Sequence, residues 1–152
     1  MRSINGFRAR LSTGAIALIL LAVAATALQA DSGDDSIRRS RAAGIDVAVS
    51  LEDLDSLAGG EIDYLEFTVS LDTHFSDLFR FDVAELSRLA IDGSARDGIA
   101  FQWRGNSETS HHRNGTLRAR VTGDSLSLEQ GAEVELRILD VGTGVRTFTW
   151  EL

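Results

Sequence analysis

The sequence predicts an all-β fold, an antiparallel two-sheet β-sandwich of immunoglobulin-like type with seven or eight strands, and three observations predict it. Short segments alternate apolar and polar side chains with period two, the spacing that gives a strand one buried and one solvated face. Turn-forming clusters such as Asp92-Gly93-Ser94, Thr122-Gly123-Asp124 and Gly142-Thr143-Gly144 separate them. No internal repeat and no alternation of strand with helix patterns competes with that reading.

The elements follow in chain order. Ile45, Val47, Val49 and Leu51 share one phase, with Asp46 and Ser50 on the other. Leu65, Phe67, Val69 and Leu71 alternate with Glu66, Thr68 and Ser70, and Phe79, Phe81 and Val83 alternate with Arg80 and Asp82. Residues 85–91 read as a short strand or a single helical turn. Ile99, Phe101 and Trp103, then Leu117, Ala119 and Val121, then Val134, Leu136 and Ile138, then Phe148, Trp150 and Leu152 complete the set. Both tryptophans lie on apolar phases and are expected in the core. The stretch from Gly105 to Gly115 reads as irregular, and Asn114-Gly115 within it as a tight turn rather than a glycosylation acceptor. Gly142-Thr143-Gly144 has no following helix to make a phosphate loop and reads as a hairpin turn.

Three segments are expected. Residues 1–30 read as a secretory signal peptide, with Arg2, Arg8 and Arg10 as cationic head, an apolar run from Ala15 to Leu28, and small residues at cleavage points after Ala27 or Ala30. An uncleaved anchor helix and a pilin-type leader cut after Gly6 are the alternatives. The apolar run falls short of the ~20 residues that span a bilayer comfortably, and no acid follows soon after Phe7. Residues 31–43, with Ile37 as their only large apolar side chain, read as a flexible linker, and residues 44–152 as the sandwich domain.

Composition narrows function further. The chain of 152 residues carries a formal charge of −8, and its 15 basic residues are all arginine. Loss of residues 1–30 would leave it more acidic still, a surface that repels nucleic acids and anionic membranes and suits a cation or protein partner. The chain has no cysteine, which excludes disulfides, thiolate catalysis and cysteine-built metal sites. No Gly-x-Ser-x-Gly elbow is present, so no catalytic residue and no enzymatic activity is expected.

All three histidines fall in two short segments, Asp72-Thr73-His74 and His111-His112-Arg113. Imidazole suits copper and zinc, and without cysteine such a site would draw on His74, His111, His112 and a carboxylate, Asp72 or Glu108. The competing expectation is structural, with Asp72 and Thr73 fixing a loop and the histidines tying that loop to a strand end. On a regular strand His111 and His112 would point to opposite faces; in an irregular segment both could meet His74.

The stretch Phe67 to His74, Trp103-Arg104-Gly105, His111 to Leu117, and the ending Arg146-Thr147-Phe148-Thr149-Trp150 resemble a group of small exported bacterial and archaeal proteins without an assigned activity. The shared motifs are Leu-Asp-Thr-His, Gly-Gly-His-His-x-x-Gly-x-Leu and Arg-x-Phe-x-Trp. This chain departs from the second in having Glu108-Thr109-Ser110 ahead of the histidine pair. The resemblance implies the β-fold and the importance of these positions, without a chemistry. The expectation is therefore a secreted or periplasmic, non-enzymatic binding or accessory module with a candidate copper or zinc site. The alternative from another class is a structural surface component, pilin-like or adhesive, with a retained N-terminal helix.

Self-repulsion of the acidic surface should be screened within a Debye length of about 10 Å at 0.1 M salt. The thermal midpoint should therefore rise as neutral salt is added from near zero. A flat or falling midpoint would show that local arginine pairing already balances the carboxylates.

Overall fold

Where polar and apolar side chains alternate, the chain forms strands whose apolar phases turn inward together. The computed structural model describes residues 36–152 apart from 124, so the expected signal helix, residues 1–30, lies outside the described residues. The strands are β1 Ile37–Ala42, β2 Ile45–Leu51, β3 Gly60–Ile62, β4 Tyr64–Thr73, β5 Ser87–Ile91, β6 Ser94–Ala95, β7 Ile99–Glu108, β8 His112–Val121, β9 Leu126–Leu128, β10 Glu133–Leu139 and β11 Val145–Glu151. A helical turn, Leu54–Leu57, and a 3₁₀ turn, Leu78–Arg80, interrupt them. Among the described residues no helix is long and apolar enough to cross a membrane.

All pairings are antiparallel, and the fold is all-β. One sheet has the order β1-β2-β4-β8-β7, a second β11-β10-β5-β6, and β3 pairs with β9 apart from both. The inner faces of the two larger sheets share one buried cluster, to which β2, β4 and β8 contribute Val49, Phe67 and Leu117, and β10 and β11 contribute Leu136, Phe148 and Trp150. The ring centroids of Phe67 and Trp150 lie 5.6 Å apart in a tilted arrangement that joins the sheets at the centre of the core.

The described part of the segment read as a linker, residues 36–43, enters the sheet instead. From Ile37 to Ala42 it pairs with β2 over its whole length, and the hairpin closes through Ala43 and Gly44, both at positive φ. Period two was invisible there because the inward positions carry two polar residues, Arg38 and Ser40, and only the small Ala42. Arg38 Nε donates to the Thr149 carbonyl (2.8 Å), and Ser40 receives Arg146 Nη1 at its carbonyl (2.9 Å). These bonds close the gap between β1 and β11, with Trp150 Nε1 donating to Ser36 O (2.6 Å).

Two further readings change. The alternation at Phe79, Phe81 and Val83 is not a strand, because Asp77 accepts from the Phe79 amide and Asp82 from those of Ala84 and Glu85, turning the chain twice. Asn114-Gly115 is not a turn but the middle of β8, opposite Ser70, Val69 and Gly105. A Cβ on Gly115 would lie 2.3 Å from the Arg104 carbonyl and 2.8 Å from Trp103 Cζ2, so glycine here serves close strand approach.

Trp150→Ala should cost about 3–5 kcal/mol as a large-to-small core change. Deleting residues 37–42 should lower the urea midpoint comparably, because it bares the edge of β2 and strands the Arg146 donors. A midpoint unchanged by the deletion would count against a structural role for β1.

Candidate functional site

The two histidine segments do meet, but through Thr73 rather than around an ion. The Thr73 amide donates to the His111 carbonyl (3.0 Å), and its hydroxyl donates to Gly44 O (2.8 Å) while accepting the Phe75 amide (3.2 Å). One buried threonine at the end of β4 thus binds the β1–β2 turn, the loop after β4 and the β7–β8 hairpin. On the hairpin, Thr109 Oγ1 accepts the His112 amide (3.0 Å), which closes the turn that carries Ser110 and His111.

His112 lies on the outer face of β8, directly opposite Asp72. Its Nδ1 is 2.6 Å from Asp72 Oδ1. An ionised carboxylate only accepts, so Nδ1 donates and Nε2 faces outward. Ser70 Oγ donates to the other Asp72 oxygen (3.1 Å). Asp72 is therefore spent on orienting His112. His111 sits in the hairpin turn, and His74 lies beyond the strand end with its ring edge-on to Phe75, centroids 6.3 Å apart. Among the described residues no three histidine, aspartate or glutamate side chains converge. The set His74, His111, His112 and Asp72 is thus not gathered around one point, because the strand register commits Asp72 to His112 and leaves the other two rings on separate loops.

The tightest cluster nearby was missed by sequence reasoning. Arg113 is only 7% exposed. Its Nη1 donates to the carbonyls of Leu78 (2.9 Å) and Phe81 (2.8 Å), and its Nε and Nη2 donate to Glu108 Oε1 (2.9 and 2.7 Å). The guanidinium carbon lies 5.6 Å from the ring centroids of both Phe79 and Trp103. Glu108 also accepts Trp103 Nε1 (2.9 Å). Its side chain folds back over Gly105, where a Cβ would fall 2.3 Å from the Glu108 carboxylate. The hydrogen bond from Trp103 and those from Arg113 hold the Glu108 carboxyl below its ordinary pKa. Trp103, expected in the core, is half-buried and serves this cluster. The signal was present in the sequence: Arg113 stands in the same phase as Leu117 and Ala119, on the inward side of a strand.

The cluster pins a loop whose side chains are unusually bare. Phe75 is 87% exposed and Phe79 55%. The Leu78 amide donates to Ser110 O (2.7 Å), tying this loop to the hairpin of His111. At the neighbouring edge Arg41 pairs with Asp46, with Nη2 2.7 Å from Oδ2. That hydrogen bond lowers the Asp46 pKa against the opposing effect of burial, and the charges of Arg41 and Arg146 add to it.

In comparisons with known proteins, no family model, no curated protein and no solved structure matches this chain.

Arg113→Met should cost about 1–3 kcal/mol, chiefly because it leaves the carbonyls of Leu78 and Phe81 without their donor. Because the Glu108 pKa is lowered by folding, its contribution is full above the unfolded value near 4.3 and is lost as pH falls through the folded one. Acid titration of stability should thus show a loss below about pH 4 that Glu108→Gln flattens. An acid limb identical in both proteins would assign that proton uptake to other carboxylates.

Proposed function

We propose that the protein is a secreted or periplasmic, non-enzymatic binding or accessory module built as an immunoglobulin-like β-sandwich. The observation that carries this reading is the pair Phe75 and Phe79, largely exposed on a loop that Thr73 and Arg113 hold to the sheets. Binding residues are commonly set on loops positioned by a rigid scaffold. Exposed aromatic side chains make strong anchors because they bury much area and lose little conformational freedom. His74 and His111, both exposed beside this loop, add polar contacts to the same end. Two facing sheets with one shared core and hairpin connections support the sandwich reading. The candidate copper or zinc function keeps one oriented ligand, His112, with Asp72 behind it as the partner that fixes its ring. Protein recognition through the aromatic end is the reading the geometry favours.

Two measurements test the proposal. Intact-mass analysis of the exported protein should give a chain starting at Leu28 or Asp31, whereas a start at Phe7 would favour a filament subunit. Cross-linking of the exported protein in its own compartment should capture a partner that the double variant Phe75→Ser, Phe79→Ser loses while keeping its unfolding midpoint. A partner retained equally by the variant would move the binding surface elsewhere.

A further inference from the structure

The far edge of the five-stranded sheet carries a second surface, independent of the aromatic loop. Strand β7 runs ten residues, pairs with β8 along one side, and has no strand on its other side among the described residues. Natural edge strands are normally short, charged, bulged or covered, because unpaired amides and carbonyls invite another strand. Here the bulge comes late, between Gly105 and Ser107, so Ile99 to Arg104 forms a regular open edge with one charge and no proline.

The two faces of that edge differ. On the inward phase Ile99, Phe101 and Trp103 are only partly buried, packed against the core but not covered by it. On the outward phase Ala100, Gln102 and Arg104 lie opposite Arg120, Arg118 and Thr116 of β8. Arg118 is paired to Glu66 (Nε to Oε1, 2.8 Å), whereas Arg104 and Arg120 have no carboxylate partner among the described residues. Arg104 and Arg118 border a depression of about 360 Å³ with Gln102, Thr116 and Glu66. A chain of net charge −8 therefore presents cations without carboxylate partners among the described residues beside this long open edge.

We infer that β7 accepts an added antiparallel strand from a protein partner whose sequence alternates apolar and acidic residues. Main-chain bonds to β7 would supply general affinity, and the alternation would supply selectivity. Cross-strand neighbours sit about 4.5–5.5 Å apart at Cβ, so apolar residues would cover Phe101 and Trp103 on one face. On the other face carboxylates would meet Arg104 directly and Arg118 or Arg120 from one strand further in. A second copy of this chain fits less well, because Ile99–Arg104 paired with itself adds no acid and brings two sets of these arginines to one face.

The probe is a synthetic octapeptide of alternating valine and glutamate, with its valine–lysine counterpart as control, added to the exported protein. The glutamate peptide should bind, perturb Trp103 fluorescence and protect amides of Ile99–Arg104 from hydrogen exchange, with affinity falling as salt rises. Arg104→Glu, an exposed substitution, should weaken it about tenfold or more and improve the lysine peptide. Equal binding of the two peptides, no binding, or binding without protection of β7 would overturn the inference. So would concentration-dependent dimerisation that protects the same amides and excludes the peptide, which would make a second copy the occupant. None of these outcomes bears on Phe75 and Phe79, so failure here leaves the aromatic end as it stands.

Discussion

Two buried guanidinium groups hold this fold to one arrangement. Arg146, 2% exposed, donates from Nε to Val141 O, from Nη1 to Ser40 O and from Nη2 to Ala42 O, each at 2.9 Å. Burial lowers its pKa, partly offset by the field of Asp46. Arg113 does the equivalent at the other side, with two loop carbonyls and Glu108 as its acceptors. Carbonyl groups at turns, at strand ends and on the free side of an edge strand have no ladder partner of their own, and leaving them buried without donors is costly. An arginine satisfies several at once with a planar, fixed set of N–H groups. In a chain without cysteine this is how distant segments are tied: Arg146 joins β1 to the β10–β11 turn, and Arg113 joins the 78–81 loop to the β7–β8 hairpin.

The aromatic end depends on the same constraint. Phe79 can stay exposed without a mobile backbone because Arg113 takes the carbonyls on both sides of it and lies over its ring. Gly105 and Gly115 allow the arrangement, the first by making room for the Glu108 carboxylate and the second by letting Trp103 and the β7 backbone approach β8. A side chain at either position would push apart the groups that hold Arg113. Rigidity of the loop and exposure of its phenyl rings are thus one design feature seen from two sides.

Charge is distributed with the same economy. On the outer face of the five-stranded sheet, opposite charges face each other across neighbouring strands, Arg41 with Asp46 and Glu66 with Arg118, and Asp72 accepts a hydrogen bond from His112 opposite it. Exposed pairs of this kind add little stability. Their larger effect is on pairing register, since a slip by one residue would turn these side chains toward the core. Arg104 and Arg120, beside the open edge of β7, have no carboxylate partner among the described residues.

Period-two alternation determined most of this protein from sequence alone. Ile45 to Leu51, Leu65 to Leu71, Val134 to Ile138 and Phe148 to Trp150 are strands with the inward phases read from their apolar residues, because burial of one face demands that pattern wherever it occurs. The same rule could not find β1, whose inward positions Arg38 and Ser40 are polar and are tied to β11 through Thr149 O and Arg146, nor reject the false strand at Phe79, where aspartate side chains capture the backbone. It placed the histidines together and offered a structural role for Asp72 and Thr73 as one expectation, but could not name the partners, the His111 and Gly44 carbonyls for Thr73 and His112 Nδ1 for Asp72. Arg113 and Arg146 stood in the buried phase of their strands all along. Only the tertiary structure showed why an arginine belongs there, since the acceptors that make its burial tolerable, Leu78, Phe81, Ser40 and Ala42, come from segments far away in the chain.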